Sequence, residues 1–384
     1  MNEIQTRFGL VFALWGAGLG AAAQYGKISV IFEPLGEAYG QSGAALGMVV
    51  SAVGVVGVIF GVVAGIIVTR VTLRRALLIG LALGGALSLY QATLPSLPLF
   101  IASRVVEGVS HLLIVVAAPT LIAQASSVRA RGFTLTLWGS FFGVSFTLPI
   151  LLGLPLVDAF GLPSLFVAHG AYMWLFAAGL FAFVPQDDPQ VTERLTLNSA
   201  LIRHGQIYRS PRKNAAGLGW LFYTFCFVTT VTFLPQFLPE GVRTPVAAAM
   251  PLISIVASLT LGVAMLLVMR AVRTVEVAFV FSAGTALLLI IWPGSPVLAL
   301  IFMVGLGIIQ GASFAVVPEL NESLEDRAQG NGAMAQTGNI GNSLGTPVIA
   351  ALLAASGYQA MMLAMALALT GGLIVHLWME RLRA

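Results

Sequence analysis

The sequence predicts an all-α membrane protein: twelve transmembrane helices, arranged as two six-helix halves related by pseudo-symmetry. Three observations predict it. Of 384 residues, 58% are hydrophobic and only 9% are charged, with a mean hydropathy of +0.95; an ordinary soluble domain carries roughly 25% charged residues. Apolar runs of about 20 residues, the length that crosses the hydrocarbon core as a helix, recur along the chain. Lys and Arg alternate between the loops so that sixteen of the nineteen fall on one side, the asymmetry that orients membrane helices.

The same composition excludes other classes. Disorder requires low hydrophobicity. One cysteine, Cys226, allows no intrachain disulfide and no thiolate cluster. The four histidines, His111, His169, His204 and His376, lack metal-ligand spacing, so no metal or cofactor is expected. The pI near 9.5 is explained by topology-setting residues in loops and requires no nucleic-acid partner.

The first six spans are expected near 8–32, 44–68, 76–94, 99–123, 133–154 and 164–184. Six more follow near 216–238, 246–269, 275–292, 297–318, 330–355 and 359–379. The first run is long and continues into Gln24, Tyr25 and Lys27 without a small-residue cleavage site; it reads as a true span and not as a signal peptide. Glycines inside spans, such as Gly16, Gly18 and Gly20, let membrane helices approach closely. The division is therefore residues 1–184, a linker at 185–215, and residues 216–384. Arg70, Arg74, Arg75, Arg209, Arg212 and Lys213 lie on the basic side and only Arg243 on the other. Both termini and the linker are thus expected in the cytoplasm, with the chain in a cell inner membrane.

The halves repeat. A shift of 198 residues places Arg129, Ala130 and Gly132 on Arg327, Ala328 and Gly330, and Gly143, Ser145 and Pro149 on Gly341, Ser343 and Pro347. A shift of 199 places Gly108, His111 and Pro119 on Gly307, Gln310 and Pro318. Parallel repeats of six spans are a transporter architecture, with the solute site near the membrane midplane.

The loop after the second span reads Gly65-x-x-x-Thr69-Arg70-x-Thr72-x-Arg74-Arg75. It resembles the signature Gly-x-x-x-Asp-Arg-x-Gly-x-Arg-Arg of the major facilitator superfamily, with Thr69 in place of the acid and Thr72 in place of a glycine. The fourth span carries Arg104-x-x-Glu107-Gly108, similar to the family's Arg-x-x-x-Gly element. The fifth lacks the Gly-Pro dipeptide of drug-proton antiporters. Spans four and five resemble bacterial permeases for small anions. The resemblance covers the whole chain and implies the major facilitator fold, usually a self-sufficient monomer. It also implies a gating role for Arg70, Arg74 and Arg75 and a cavity lined by spans one and four.

Charges inside the membrane are costly and mark function by default. Lys27 and Arg104 each lie five or six residues from the same membrane face; at 1.5 Å per residue that is roughly 8–9 Å deep. Together with the family's cavity they are candidate anion-binding residues, with Gln24 a turn away. Arg104, Glu107 and His111 follow i, i+3, i+7 spacing and share one helix face. Glu107 paired with Arg104 would yield to a solute carboxylate, and Glu107 or His111 would take the proton; the competing reading is a structural ion pair. His169, near a span end, reads as an interfacial structural residue, and Glu276 as a partner of Arg270 or Arg273. In the second half Tyr223, Gln310, Gln336 and Asn339 are uncharged solute-binding candidates, and Pro235 a helix break that serves as a gate. The acidic run Glu319, Glu322, Glu325 and Asp326 reads as a solvated helix end able to pair with loop arginines.

The function expected is secondary active transport of a small, anionic solute, coupled to protons. No phosphate-binding loop of the Gly-x-x-x-x-Gly-Lys-Ser/Thr type is present, and no nucleophile–base constellation marks an enzyme. The alternatives are a proton-coupled multidrug or metabolite exporter and, more remotely, a transporter-like sensor or intramembrane enzyme.

Overall fold

The computed structural model describes residues 5–61, 64, 68, 71–127, 130–186, 197–322 and 324–383. Among them, eleven helices are long and apolar enough to cross a membrane. The first six are Phe8–Val30, Gly43–Phe60, Leu73–Gln91, Leu97–Ala125, Leu137–Phe160 and Leu162–Phe183. Ala215–Phe237, Glu240–Val268, Ala271–Ile291, Pro296–Leu320 and Gln329–Arg383 follow. The last is two spans, because Gly357 leaves the helical region with φ +76°, a conformation open to glycine. The fold is thus twelve helices of the expected class.

The fifth span runs six residues past its expected end. Pro149 lies inside the expected span, where the backbone widens into a π-helical turn over Pro149–Gly153; Pro155, just past the expected end, lies within the continuing helix Leu154–Phe160. The stop comes at Gly161, with φ +80°. The eighth span starts at Glu240, earlier than expected, because Pro239 occupies its N-cap and pre-sets the entry geometry.

By contacts the chain forms two compact units, Met1–Leu35 with Val63–Leu195, and Gly36–Val62 with Thr196–Ala384. The second span therefore groups with the later half of the chain, because it packs along the eleventh span. There Ser51 Oγ donates to Asn342 O at 2.9 Å, and Ser343 Oγ donates to Ser51 O at 3.3 Å. At Gly47 any Cβ would stand 2.6 Å from Pro347 Cα, so the helix backbones touch.

The core of the first unit is apolar, with Val11, Leu14, Ala17, Leu77, Leu81, Ile114 and Ile122 among its buried residues. Its first and fifth spans meet at Gly26, where a Cβ would lie 2.6 Å from Ser145 O; Ser145 Oγ in turn donates to Leu19 O at 2.7 Å. In the second unit, Gly345 of the eleventh span packs in the same way on the seventh, 2.6 Å from Phe225 O to a hypothetical Cβ. These two packings join pairs of spans related by the sequence repeat.

Charged residues at helix ends satisfy backbone groups that helices leave open. Arg74 caps the sixth span, donating to Val184 O at 3.0 Å and Phe181 O at 2.7 Å. Glu319 accepts from Ala271 N at 2.5 Å and pairs with Arg270 at 3.3 Å, joining the tenth span to the start of the ninth.

Candidate functional site

Inside the first unit, four helices converge on a buried polar cluster. The first span supplies Gln24 and Lys27, the third Ser88 and Gln91, the fourth Arg104, Glu107, Ser110 and His111, and the sixth His169; each is at most 7% exposed. Glu107 is its centre. Oε1 accepts from Lys27 Nζ at 2.8 Å, and Oε2 accepts from Gln91 Nε2 at 2.8 Å and is ion-paired with Arg104 Nη1. Arg104 Nη2 also donates to Gln24 O at 2.6 Å.

Lys27 Nζ has three acceptors, which suits an ammonium group. Besides Glu107 these are Ser88 Oγ at 3.1 Å and His169 Nδ1 at 3.2 Å. The partners assign the histidine tautomer. Nε2 lies 3.0 Å from Gly20 O, an acceptor, so Nε2 carries the hydrogen and Nδ1 keeps its lone pair. Ser88 Oγ donates to Phe166 O at 2.8 Å and is also 3.0 Å from His169 Nδ1. The Phe166 ring covers Lys27, its centroid 5.4 Å from Nζ.

The family resemblance places Lys27 and Arg104 near one another on a cavity; the structure brings them together around Glu107. They are 1% and 0% exposed, enclosed by their own unit. The physical reason is the cost of a bare charge in a low-dielectric interior, which pairing and hydrogen bonding offset. His111 stands beside the ion cluster: its Nδ1–H donates to Ala21 O at 3.0 Å and its ring meets Tyr25 edge-on at 5.3 Å. His169 is the larger correction. It is 7% exposed and bonded to the first and third spans, so it belongs to the cluster and is not an interfacial residue. Ser88, Gln91 and Ser110 are further members absent from the sequence-based set. Ser88 and Gln91 are three residues apart on an apolar helix, a pattern that marks a polar face.

In the second unit, Gln336 donates to Val58 O at 2.7 Å and accepts from Tyr208 O–H at 2.7 Å. Asn339 donates to Ala335 O at 2.9 Å and fills the space left by Gly57. Tyr223 is buried between Trp220 and Phe227, with ring centroids 4.5 and 5.6 Å away. Gln310 is half-buried. Pro235 lies in a 3-10 turn, Leu234–Phe237, that ends the seventh span. Glu276 pairs with Arg273 at 2.9 Å, and Asp326 pairs with Lys213 at 2.7 Å. Arg75 is exposed, Arg74 caps the sixth span, and Arg70 lies outside the described residues.

The family model for the Major Facilitator Superfamily matches residues 10–324. The chain belongs to this superfamily. No curated protein sequence matches it significantly. Among solved structures it is similar to a bacterial homologue of the human lysosomal transporter Spinster, in an inward-facing and unoccupied conformation. That likeness has a TM-score of 0.78 at 13% identity over 98% of this chain and 97% of the other. The occupied form of the same homologue gives 0.77 at 14% identity, over 98% and 97%. The human organic anion transporter MFSD10 (TETRAN) gives 0.67 at 18% identity, over 96% and 98%. At such identities the likeness is one of fold, and fold and family together make this chain a multi-pass membrane transporter of small solutes and not an enzyme.

Proposed function

We propose that this superfamily member moves a small anionic solute across a cell inner membrane by alternating access, coupled to protons, working as a monomer with both termini in the cytoplasm. One observation carries the reading: two buried cations, Lys27 and Arg104, share one buried carboxylate, Glu107. The cluster holds a formal surplus of one positive charge when both histidines are neutral. A proton on Glu107 alone would leave two cations uncompensated. A solute carboxylate that takes the place of Glu107 restores the original balance, and the guanidinium fork of Arg104 suits its two oxygens. Proton and anion therefore favour each other's binding, and that coupling is reciprocal. The printed description of MFSD10 as an organic anion transporter is in keeping with this class of solute.

Purified protein in proteoliposomes tests the reading against labelled small carboxylates, inorganic anions and lipophilic cations under an imposed pH gradient. A small anion is expected to accumulate, and Arg104→Ala to abolish its uptake. Glu107→Gln, assayed below its melting temperature, is expected to keep solute exchange and lose the response to the gradient. Uptake of lipophilic cations alone, indifferent to Arg104→Ala, would favour the exporter and refute the anion reading.

A further inference from the structure

We propose that the turn between the eighth and ninth spans is a phospholipid site for a zwitterionic headgroup with a primary amine: the phosphate on Arg270, the ammonium on Glu319, and an acyl chain along the end of the eighth span. The inference concerns the second unit alone and is independent of the buried cluster in the first.

The eighth span ends at Val268 and the ninth begins at Ala271. Met269 and Arg270 make the whole connection, which holds the turn at the membrane surface, on the basic side of the chain. A cavity of about 550 Å³ opens there, with Leu266, Leu267 and Ala315 on its apolar wall and Arg270 with Glu319 at its polar end. That volume lies in the range of small-molecule sites. Leu267 and Val268 are 82% and 80% exposed on the last turn of a membrane helix, where the surrounding medium is hydrocarbon. The polar end is a dipole. Arg270 Nε pairs with Glu319 Oε1 at 3.3 Å, and Glu319 Oε2 accepts from Ala271 N at 2.5 Å. The Arg270 side chain is still 69% exposed, and among the described residues nothing bonds its Nη1 or Nη2. Those two nitrogens are the outer edge of the guanidinium fork, a geometry that grips two phosphate oxygens. Glu319 has lone pairs left after its two bonds. A phosphate alone would gain Arg270 and meet the like charge of Glu319. A headgroup that carries a cation two carbons from its phosphate meets both charges with their opposites. A primary ammonium donates N–H bonds to the carboxylate, which a quaternary amine cannot do. Basic pockets between membrane helices bind lipid headgroups, and here the adjoining apolar wall gives a chain its place.

Native mass spectrometry of the full-length protein, purified in detergent, tests this with an equimolar mixture of dioleoyl phosphatidylethanolamine, phosphatidylcholine and phosphatidylglycerol. The wild type should retain the ethanolamine lipid several-fold over the other two. Arg270→Ala, at an exposed position, should lose that excess. Glu319→Gln keeps an acceptor for Ala271 N and removes the negative charge; it should retain the glycerol lipid as well as the ethanolamine one. Free phosphoethanolamine, a headgroup without chains, should leave the bound lipid in place at matched concentration. Its displacing the lipid would overturn the part played by the apolar wall. Equal retention of the three lipids by the wild type, or a preference unchanged in Arg270→Ala, overturns the proposal. If Glu319→Gln does not fold, the comparison of wild type with Arg270→Ala still decides. No transported solute and no pH gradient enter the assay, so failure here is separable from failure of the anion reading.

Discussion

Glu107→Gln should destabilise the protein more than Lys27→Met, although each removes one end of the same 2.8 Å ion pair. The cluster as found has a formal charge of +1. Lys27→Met takes it to zero, whereas Glu107→Gln takes it to +2, with two cations sharing a neutral amide. At an effective dielectric of 20, a pair 2.8 Å apart is worth about 6 kcal/mol of gross Coulomb energy. The net cost of leaving a buried charge unpaired is about 3–5 kcal/mol. Lys27→Met avoids that cost, since Glu107 keeps Arg104 and Gln91. It forfeits the donor to Ser88 Oγ and His169 Nδ1, about 1–3 kcal/mol. The two variants should therefore differ by about 2 kcal/mol, roughly a thirtyfold difference in the unfolding constant. The double variant returns the cluster to +1 and should be more stable than Glu107→Gln alone, a non-additive result that a double-mutant cycle detects. Unfolding in mild detergent titrated with a denaturing one measures all four proteins. If Lys27→Met unfolds as readily as Glu107→Gln, or if the two costs simply add, the charge-balance argument is wrong.

Two further variants test local features of the fold. Thr72 has φ +83°, a conformation costing about 1–3 kcal/mol in a residue with a Cβ; at the N-cap, glycine in place of threonine forfeits only a few tenths of a kcal/mol. Thr72→Gly should thus raise the melting temperature, and a lower one would show that the 3.3 Å bond from Arg75 N to Thr72 Oγ1 outweighs the strain. Arg74→Ala removes two bonds to the end of the sixth span and the contact with the Phe181 ring at 4.8 Å, and should cost about 1–3 kcal/mol. Amide exchange is expected to rise over the last turn of that span; unchanged protection would show that Arg74 contributes nothing there.

Much of this was legible in the sequence, and the reasons differ by feature. Span count and helix class followed from apolar length, which depends on the solvent and not on tertiary detail. The fifth span's end differed because the helix continues through Pro155 to Phe160, and nothing in the residue types announces that. The second span's place beside the eleventh was also not legible, since a glycine at 47 does not say which backbone it touches. In the cluster, the pairing of Arg104 with Glu107 came from i, i+3 spacing. The depth arithmetic that put Lys27 level with Arg104 applies equally to Ser88 and His169. Ser88 lies six residues from the expected end of the third span, and His169 five from the expected start of the sixth. All four share one level of one membrane face, and distance from a span end alone does not distinguish a buried His169 from an interfacial one. Enclosure was beyond the sequence: whether a polar side chain on a helix faces a cavity or its own bundle depends on helix rotation.

The repeat provides an argument about why the charges are there. Under the register that aligns the fourth span with the tenth, Arg104 falls on Met303 and Glu107 on Leu306. Met303 and Leu306 are both 0% exposed, as are Arg104 and Glu107. Two helices of the same architecture thus fill corresponding buried positions, one with an ion pair and the other with hydrocarbon. The apolar choice satisfies packing without desolvating any charge. The fold therefore does not require the ions, and the second half holds its corresponding helix without them. What the ions add is a polar link among four helices of the first unit, and under the proposed coupling that link is where a proton would act.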